Sequence, residues 1–411
     1  MSVRLDQCFP AGPRVGAREL LTELAKEPAD GALAVGDGRI HEFLALLGKE
    51  LLKPVVARRF PELARLGFFL RPVELSRALS RLPERTGEWR FPRGMVFHIT
   101  PANVDTLFAY SWALSALAGN VNVVRVSSRV GAAARLVLDV LNTLLANGHP
   151  VVAQTQRMIS YGHDDSVTAD LSAACDLRVI WGGDRAIEEV RRAALRPSGR
   201  DLTFPDRSSF TVISADGWLA ADAVTRESTA RAFYNDAYWF DQAACASPRA
   251  IFWVGDQATT RRAQADFHSS LIRVVESRRP QIDVAMAIEK RVATYGLAAD
   301  GAATAVRFAG NALATVELSA PELMPRRWLG AGTFPQCRVD RLGDLVPLVT
   351  RQDQTVTHFG FDRATLTGFA RALAGRGVDR LVRIGNALNF ESPWDGYDLL
   401  HEYTRITTVV A

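Results

Sequence analysis

The chain has 411 residues, of which 48% are hydrophobic and 23% charged, and its formal net charge is +4 at pH 7. These proportions are typical of a globular protein with enough apolar material for the cores of two or more domains. The positive excess is small and spread along the chain, which argues against a nucleic-acid-binding surface and suits small anionic ligands.

The first part of the chain predicts helices and then an alternation of strands and helices. Residues 17–82 read as several helices separated at prolines. From about residue 94 the predicted strands are GMVFHIT, VNVVRVS, VVAQTQ, DLRVIWG and SSFTVIS, with helices at residues 106–118, 130–145 and 184–195. Such alternation predicts a parallel sheet with helices on both faces.

A second alternating block follows the first. Its predicted strands are SPRAIFWVG, TAVRFAG, ALATVELS, QTVTHFGF and DRLVRIGN, and its helices lie at residues 224–240, 259–279, 283–298 and 364–375. We therefore predict an α/β fold that divides into residues 1–213, 214–385 and 386–411. The final segment YTRITTVVA reads as an apolar strand, which we expect to pair with another sheet, such as one in a neighbouring subunit of a homo-oligomer.

The sequence gives no indication of export or of a membrane span. The first 20 residues have no apolar stretch of the kind found in signal peptides, and no run of 18 apolar residues occurs. The four cysteines are far apart and form no CxxC pair, which argues against a disulfide framework or a structural zinc site. We therefore predict a cytoplasmic protein.

Cys245 lies in the segment DQAACASPRAIFWV, between a predicted helix and a predicted strand. A lone cysteine is most often a small buried hydrophobic residue. Here its neighbours are alanines and a serine, which leave room for a substrate carbonyl to approach the sulfur, and loops between elements tend to carry catalytic groups. The residues alone leave a structural and a nucleophilic role open.

The segment ITPANVD carries Thr100, Pro101 and Asn103 at the end of a predicted strand. These are ordinary turn and capping residues. Alternatively, the Asn103 amide donates a hydrogen bond to an oxyanion.

Two more strand ends carry candidate nucleotide-binding residues. The first is VRVSSR at residues 124–129, and the second is VIWGGD at residues 179–184. In open α/β sheets nucleotides bind at the C-terminal ends of the strands, and N–H groups before a helix can meet a phosphate. A solvated basic turn and a simple glycine turn are the alternatives. The candidate residues are Arg125, Ser127, Ser128, Arg129, Gly182 and Gly183.

Taken in this order, the four segments resemble the aldehyde dehydrogenase superfamily, and in particular its acyl-CoA reductase branch, typified by the fatty acid reductase of bacterial luminescence. The resemblance runs from about residue 90 to the C-terminus and includes GAGTFPQCRV, QTVTHFGF and YTRITTVVA. It implies a helical region and a Rossmann-type cofactor domain in residues 1–213, a catalytic domain in residues 214–385, and an oligomerisation strand in residues 386–411. It also implies Cys245 as the nucleophile, Asn103 as an oxyanion donor and Phe334 as a cofactor contact.

One departure from the superfamily bears on the reaction. Aldehyde-oxidising members carry a glutamate in an ELGGK-like motif that activates water, whereas the comparable stretch here is DLTFPDRSSF, with Thr203 nearest that position. A reductase must keep water from its acyl-enzyme, so the resemblance implies reduction of an acyl-CoA or acyl-protein thioester to an aldehyde. Oxidation of an aldehyde, or a non-catalytic role as a scaffold in a multienzyme complex, remain the alternatives.

A second departure bears on the cofactor. NAD-preferring members often have a lysine and a following glutamate on the ribose-binding strand, where this chain has arginine and serine between Arg125 and Arg129. Cations without the repelling acid favour NADPH over NADH. At GAGTFPQ the usual acidic ribose ligand is replaced by Gly332.

The remaining candidates are assigned structural roles. His163, Asp164 and Asp165 could suggest a metal site, but without further ligands at fixed spacing we predict a polar loop and no metal. Cys337 is the rival nucleophile, and Cys175 is predicted to lie in the core. The resemblance further implies an acyl-activating enzyme as a possible partner.

Overall fold

A computed structural model describes residues 4–410 except 84, 102, 103, 105 and 163. The chain divides into two compact units. The first unit comprises Met1–Pro205 and Asn389–Ala411, and the second unit comprises Asp206–Leu388.

The first unit begins with a hairpin that the sequence did not lead us to expect, followed by the predicted helices. The two strands are β1 (Arg4–Phe9) and β2 (Ala11–Gly16), which pair antiparallel. The helices are α1 (Ala17–Leu24), α2 (Gly38–Leu51), α3 (Pro54–Arg59), α4 (Pro61–Phe69) and α5 (Pro72–Leu79). A proline opens each of α3, α4 and α5, where its missing N–H costs no helical hydrogen bond.

The alternating block that follows builds the first sheet. Its elements are β3 (Glu88–Pro92), β4 (Met95–Ile99), α6 (Leu107–Leu117), β5 (Val121–Arg125), α7 (Ala132–Leu145), α8 (Pro150–Thr155), β6 (Gln156–Ser160), α9 (Asp165–Ala174), β7 (Leu177–Trp181), α10 (Asp184–Arg191) and β8 (Arg200–Phe204). The sheet order is β2-β1-β6-β5-β4-β7-β8, and the five strands from β6 to β8 are parallel, as predicted. All eleven residues of α6 are buried, which agrees with its apolar character all round.

One predicted strand of this block is wrong. The segment VVAQTQ forms most of helix α8, and the strand begins only at Gln156. Pro150 opens this short helix. The helix buries Val151 and Val152, the β-branched residues on which the strand prediction rested.

The second unit contains the second sheet. Its elements are β9 (Ser208–Ser214), α11 (Ala215–Ala220), α12 (Ala223–Tyr238), a 3-10 turn (Trp239–Gln242), β10 (Pro248–Val254), α13 (Gln257–Arg278), α14 (Val284–Ala299), β11 (Ala303–Ala309), β12 (Leu313–Leu318), a 3-10 turn (Pro321–Leu323), β13 (Thr333–Val339), a 3-10 turn (Leu342–Leu348), β14 (Asp353–Phe359), α15 (Arg363–Leu373) and β15 (Arg380–Arg383).

The sheet order in this unit is β11-β12-β13-β10-β9-β14-β15, and every pair except β11 with β12 is parallel. Side chains of alternate residues feed two hydrophobic clusters, one containing Trp253 and Phe267 and the other containing Phe252 and Val356. The division that the sequence predicted after residue 213 falls at the end of β9, which lies inside this second sheet.

The last residues return to the first unit. They form β16 (Pro393–Trp394), β17 (Tyr397–Asp398), α16 (Leu399–Glu402) and β18 (Thr404–Thr408). The C-terminal strand does pair with another strand, but within the same chain, because β18 runs antiparallel to β3. In the described part of the chain, every helix is too short or too polar to cross a membrane.

Candidate active site

The order of the strands in the first sheet reverses between β4 and β7. After β4 the chain continues to β5 and β6 on one side, and then crosses to β7 and β8 on the other side. Ligands of open α/β sheets bind at such a reversal, outside the C-terminal ends of the two strands. The predicted cofactor residues Thr100 and Pro101 follow β4, and Gly182 and Gly183 follow β7, so both pairs lie at this switch point.

Arg125 ends β5, beside the switch point. Ile99 pairs with Arg125, and the Thr100 hydroxyl donates to the Arg125 carbonyl at 3.1 Å, which ties the two strand ends together. The Arg125 guanidinium lies over the ring of Tyr161, 4.7 Å from its centre. The Nε of Arg125 is buried and has no hydrogen-bond partner among the described residues, so this cation has capacity left for an anionic ligand.

The residues after Arg125 form an exposed basic turn. Ser128 and Arg129 are exposed, and the Arg129 N–H donates to the Ser127 hydroxyl at 3.1 Å. On the other side of β4, Gly183 is the N-cap of α10, and no side chain caps this helix. Uncapped N–H groups at a helix start and arginine side chains are both groups that bind phosphate.

Cys245 lies in the second unit, in the loop between the 3-10 turn and β10, and is half-buried. The Gln354 Nε2 is 3.4 Å from its sulfur, and the Ser209 hydroxyl donates to its carbonyl oxygen at 2.6 Å. Ser209 lies at the start of β9 and Gln354 at the start of β14, and these strands are neighbours in the sheet. Parallel pairing therefore brings both polar side chains to the edge where Cys245 enters.

Arg249 supplies positive charge to the same loop. Its guanidinium donates to the carbonyls of Ala243 at 3.3 Å and Arg326 at 3.2 Å. Burial lowers the pKa of Arg249, while the side chains of Cys245 and Asp206 act to raise it. Because a guanidinium and a thiolate attract each other, the Arg249 guanidinium stabilises a thiolate at Cys245.

The chain enters the loop through a strained backbone. Phe240, Asp241 and Gln242 have φ values of 55°, 51° and 61°, in the left-handed region that non-glycine residues seldom adopt. The buried Gln242 side chain holds this geometry by donating to the carbonyls of Pro248 at 2.8 Å and Thr333 at 3.2 Å. Such strain persists only where the surroundings fix it, and it often occurs at functional sites.

Three further residues that the sequence singled out are Asn103, Phe334 and Thr203. Asn103 lies outside the described residues. Phe334 is fully buried in the aromatic cluster of the second unit, 5.1 Å from the ring of Phe233. Thr203 lies in β8, where it pairs with Ile180.

Gly332 occupies a position where the structure leaves no room for a side chain. Gly332 has a φ of 69°, and a Cβ at this position would lie 2.0 Å from the carbonyl oxygen of Ala312 and 2.6 Å from the hydroxyl of Tyr238. No side chain fits there without a backbone shift. An acidic side chain, which the resemblance implied for relatives at this position, is therefore sterically excluded here.

The other cysteines and the acidic loop have structural surroundings. Cys175 is fully buried, as predicted, and burial raises its pKa to about 12. Cys337 is almost fully buried, and burial raises its pKa to about 11, which disfavours its thiolate. Asp164 caps α9 by accepting from the N–H groups of Ser166 and Val167, while His163 lies outside the described residues. Across the described residues, no three potential metal-ligating side chains stand together.

Sequence reasoning missed three residues of the Cys245 environment: Ser209, Arg249 and Gln354. Gln354 belongs to the segment QTVTHFGF, where no local signal distinguishes it from an ordinary strand residue. Arg249 stands four positions after Cys245, and a cation so near a candidate thiolate is the one signal that could have been used.

Comparison with known proteins finds a matching family model and several similar reductases. The model of a family described as Acyl-CoA reductase (LuxC) matches residues 75–406. The chain is 24% identical over 306 residues to a long-chain acyl-protein thioester reductase of Photorhabdus laumondii, which covers 72% of this chain and 59% of that protein. It is 25% identical over 167 residues to long-chain acyl-protein thioester reductase 2 of Photobacterium leiognathi, covering 40% of this chain and 33% of that protein. The matches thus span less than two thirds of these curated relatives.

Among solved structures, the fold is similar to that of a Mycobacterium tuberculosis aldehyde dehydrogenase complexed with NAD+. The TM-score is 0.67 at 14% identity, and the match covers 99% of this chain and 94% of that one. The chain therefore has the aldehyde dehydrogenase fold, which confirms the predicted fold class.

Proposed function

The chain belongs to the acyl-CoA reductase (LuxC) family, and from this premise we propose that it reduces an acyl thioester to an aldehyde through an acyl-enzyme at Cys245. The observation that carries the proposal is the environment of the Cys245 sulfur, which has an amide donor at 3.4 Å and the partly buried guanidinium of Arg249 at the start of β10. Both groups stabilise a thiolate, the form of cysteine that attacks a carbonyl.

In the proposed first half-reaction, the Cys245 thiolate adds to the acyl carbonyl of the substrate thioester. The negative charge moves to the carbonyl oxygen, and the tetrahedral adduct collapses with release of the donor thiolate, which takes a proton from solvent. Asn103 and the Cys245 backbone N–H are the proposed donors to the oxyanion, and such donors typically contribute about 3 kcal/mol each to the transition state. Ser209 holds the Cys245 carbonyl and so orients this stretch of backbone.

In the proposed second half-reaction, the Cys245 thioester carbonyl would accept a hydride, which is the chemistry that a nicotinamide cofactor would supply when bound. The resulting oxyanion collapses, the carbon–sulfur bond breaks, and the aldehyde leaves as the Cys245 thiolate returns. Arg249 and Gln354 stabilise the departing thiolate as they stabilised the attacking one. Thr203, the residue nearest the position of the water-activating glutamate of oxidising relatives, cannot act as a base, which favours an acyl-enzyme that is not hydrolysed.

For the cofactor we propose NADPH in preference to NADH. The solved neighbour binds NAD+, and the residues at the switch point of this chain fit such a dinucleotide. Arg125 retains an unpartnered buried Nε, and Arg129 is exposed on the following turn. An arginine fork matches the geometry of a phosphate, and the neighbouring serines do not repel a 2′-phosphate.

For the acyl donor we propose a long-chain acyl-CoA or an acyl group carried on a protein. The named relatives are acyl-protein thioester reductases, which favours a carrier supplied by an acyl-activating enzyme. Such a partner would deliver the acyl group to Cys245 as the thioester that the first half-reaction consumes.

The test is an acyl transfer assay with a panel of acyl-CoAs, read by intact mass spectrometry without cofactor and by loss of NADPH absorbance with it. The wild type should gain one acyl mass and then consume NADPH. Cys245→Ala should do neither, because no other described cysteine pairs a half-buried sulfur with these donors.

Cys8→Ser is the matched control, since Cys8 is half-buried in the first sheet and should be dispensable. Turnover of acyl-CoA by Cys245→Ala at the wild-type rate would disprove the proposed function.

A further inference from the structure

Part of one face of the second sheet is left uncovered by helix α13. Trp253 of β10 is buried on this face against Phe267 of α13, with ring centres 5.6 Å apart. Farther out, Glu317 of β12 lies opposite Gln336 of β13. Between α13 and the strands β11 to β13 there is a cavity of about 710 Å³, which we call the α13 cavity.

Cationic side chains predominate around the α13 cavity. Arg261 lies on the helix wall, Arg307 on the strand wall, and Arg338 farther along β13. Arg338 already donates to the Gly255 carbonyl at 3.0 Å and pairs with Asp340, whereas Arg261 and Arg307 are exposed. Glu317 is the carboxylate among the lining residues, so an anion is the favoured occupant.

The floor of the cavity is a fixed network of polar groups. The Gln336 Oε1 accepts from the Trp253 Nε1 at 3.1 Å and lies 3.0 Å from the His268 Nε2. The Gln336 Nε2 donates to the Glu317 carboxylate at 3.0 Å. Because an amide oxygen only accepts, the His268 Nε2 carries the proton, and the other ring nitrogen of His268 is an acceptor. Burial lowers the pKa of His268 to about 4, so this ring is neutral near pH 7.

The Thr260 hydroxyl is a buried polar group of the cavity lining that lacks a hydrogen-bond partner among the described residues. The residue as a whole is 1% exposed. A buried hydroxyl without a partner costs free energy, which a ligand oxygen in the cavity would recover. Thr260 and Arg261 both line the α13 cavity, so one ligand can reach both.

From these contacts we propose that the α13 cavity is a second ligand site, which binds a small phosphate-bearing molecule that also carries hydroxyl groups. Arg261 and Arg307 approach the phosphate from opposite walls, and the guanidinium fork matches phosphate oxygens. Glu317 and the acceptor nitrogen of the His268 ring accept from the hydroxyl groups. A volume of 710 Å³ lies within the range of small-molecule sites.

The α13 cavity differs in position from the loop of Cys245. Cys245 precedes β10, at the edge where the parallel strands begin. The cavity is lined by Gln336 and Arg338, and Arg338 pairs with Trp253 near the opposite end of that strand. Binding here therefore requires neither the thiolate nor the proposed reaction.

The test is calorimetric titration of the full chain with ribose 5-phosphate, with ribose and with inorganic phosphate. Ribose 5-phosphate should bind saturably, phosphate more weakly, and ribose not measurably. Arg261→Gln should weaken ribose 5-phosphate binding at least about tenfold, because one charged hydrogen-bonding partner is lost. Arg262→Gln is the matched control, since Arg262 is also exposed on α13 but does not line the cavity, and it should leave the affinity unchanged.

Two further variants separate the parts of the proposal. Glu317→Gln should weaken ribose 5-phosphate more than inorganic phosphate, because the carboxylate serves the hydroxyl groups. Cys245→Ala should bind ribose 5-phosphate as the wild type does, whatever its catalytic outcome. The proposal is overturned if no probe saturates the protein, if Arg261→Gln binds as tightly as the wild type, or if phosphate alone binds as tightly as ribose 5-phosphate.

Discussion

At the scale of single residues, the Cys245 loop depends on polar partners from two neighbouring strands. Ser209 of β9 fixes the Cys245 carbonyl, and its hydroxyl in turn accepts from the Thr355 N–H of β14 at 3.1 Å. Gln354 of the same strand directs its amide toward the sulfur, while the Thr355 hydroxyl donates to the Gln354 Oε1 at 3.3 Å. The orientation of the amide is therefore set before any substrate arrives.

Gln354→Ala should slow acylation of Cys245 by about 10- to 100-fold, because a hydrogen bond to a charged group contributes about 1.5–3 kcal/mol. The rate of acyl mass gain, measured by quenched-flow mass spectrometry, tests this. Gln352→Ala is the control, because Gln352 is exposed just before the same strand and should acylate normally. An unchanged acylation rate in Gln354→Ala would remove this residue from the proposed mechanism.

At the scale of secondary-structure elements, α14 is held to the loop before β13 by a buried lysine. Lys290 is 1% exposed, and its Nζ donates to the carbonyls of Asn311 at 2.8 Å and Ala331 at 2.7 Å. Burial, with a smaller effect of Arg291, lowers the pKa of Lys290 from 10.5 to about 8. The amine therefore loses its proton in the folded state at a lower pH than in the unfolded state.

The lysine gives a pH dependence of stability with a definite sign. Below pH 8 both states hold the proton, and the folded state bears the full penalty of a buried charge. Between pH 8 and pH 10.5 the unfolded state binds more protons, so this residue's contribution to the free energy of unfolding rises with pH, by up to about 3 kcal/mol.

Urea unfolding of the wild type and of Lys290→Met at several pH values measures this contribution as a difference. The free energy of unfolding of the wild type minus that of Lys290→Met should increase from pH 8 to pH 10.5. Lys49→Met, at an exposed lysine of α2, should show no such trend. A difference that stays constant with pH would mean that Lys290 titrates alike in both states.

At the scale of the whole molecule, the C-terminal ribbon formed by β3 and β18 is exposed and apolar. Trp89 is 50% exposed and Phe91 is 48% exposed on β3, and Ile406 of β18 is 40% exposed. The ribbon has two strands, so each strand has one unpaired edge within the described chain. Exposed apolar strands with open edges are typical of contact surfaces between subunits.

We expect the protein to self-associate through this ribbon. Replacing both Trp89 and Phe91 by Glu should convert the oligomer to a monomer, because charged side chains on an edge strand oppose pairing. Light scattering coupled to size exclusion measures the mass directly. The double variant Val55→Glu and Val73→Glu adds the same charge at exposed positions of α3 and α5 and should keep the wild-type mass. A monomeric wild type, or an unchanged mass in the ribbon variant, contradicts the prediction.

Local patterns were enough to predict the fold class and most elements, whereas the role of Cys245 as nucleophile came from the family resemblance and stays a prediction. The alternation of apolar strands and helices predicted two α/β blocks, and the four strand-end segments led to the aldehyde dehydrogenase superfamily and its acyl-CoA reductase branch, which the family match confirms. The β1–β2 hairpin and β8 were missed, and α8 was predicted as a strand, because short elements carry little periodic signal.

By itself, the sequence determined which residues carry reactive groups and at which strand ends they stand, since both are properties of consecutive residues. Only the tertiary structure decided what surrounds them. Ser209 and Gln354 lie 36 and 109 positions from Cys245 and reach it because β9 pairs with β10 and β14, an order that no local pattern encodes. The same holds for Gly332, where the carbonyl of Ala312 excludes a side chain, and for the C-terminal strand, whose partner proved to be β3. Periodicity is a local property, whereas strand order and register arise from burial of the whole chain at once.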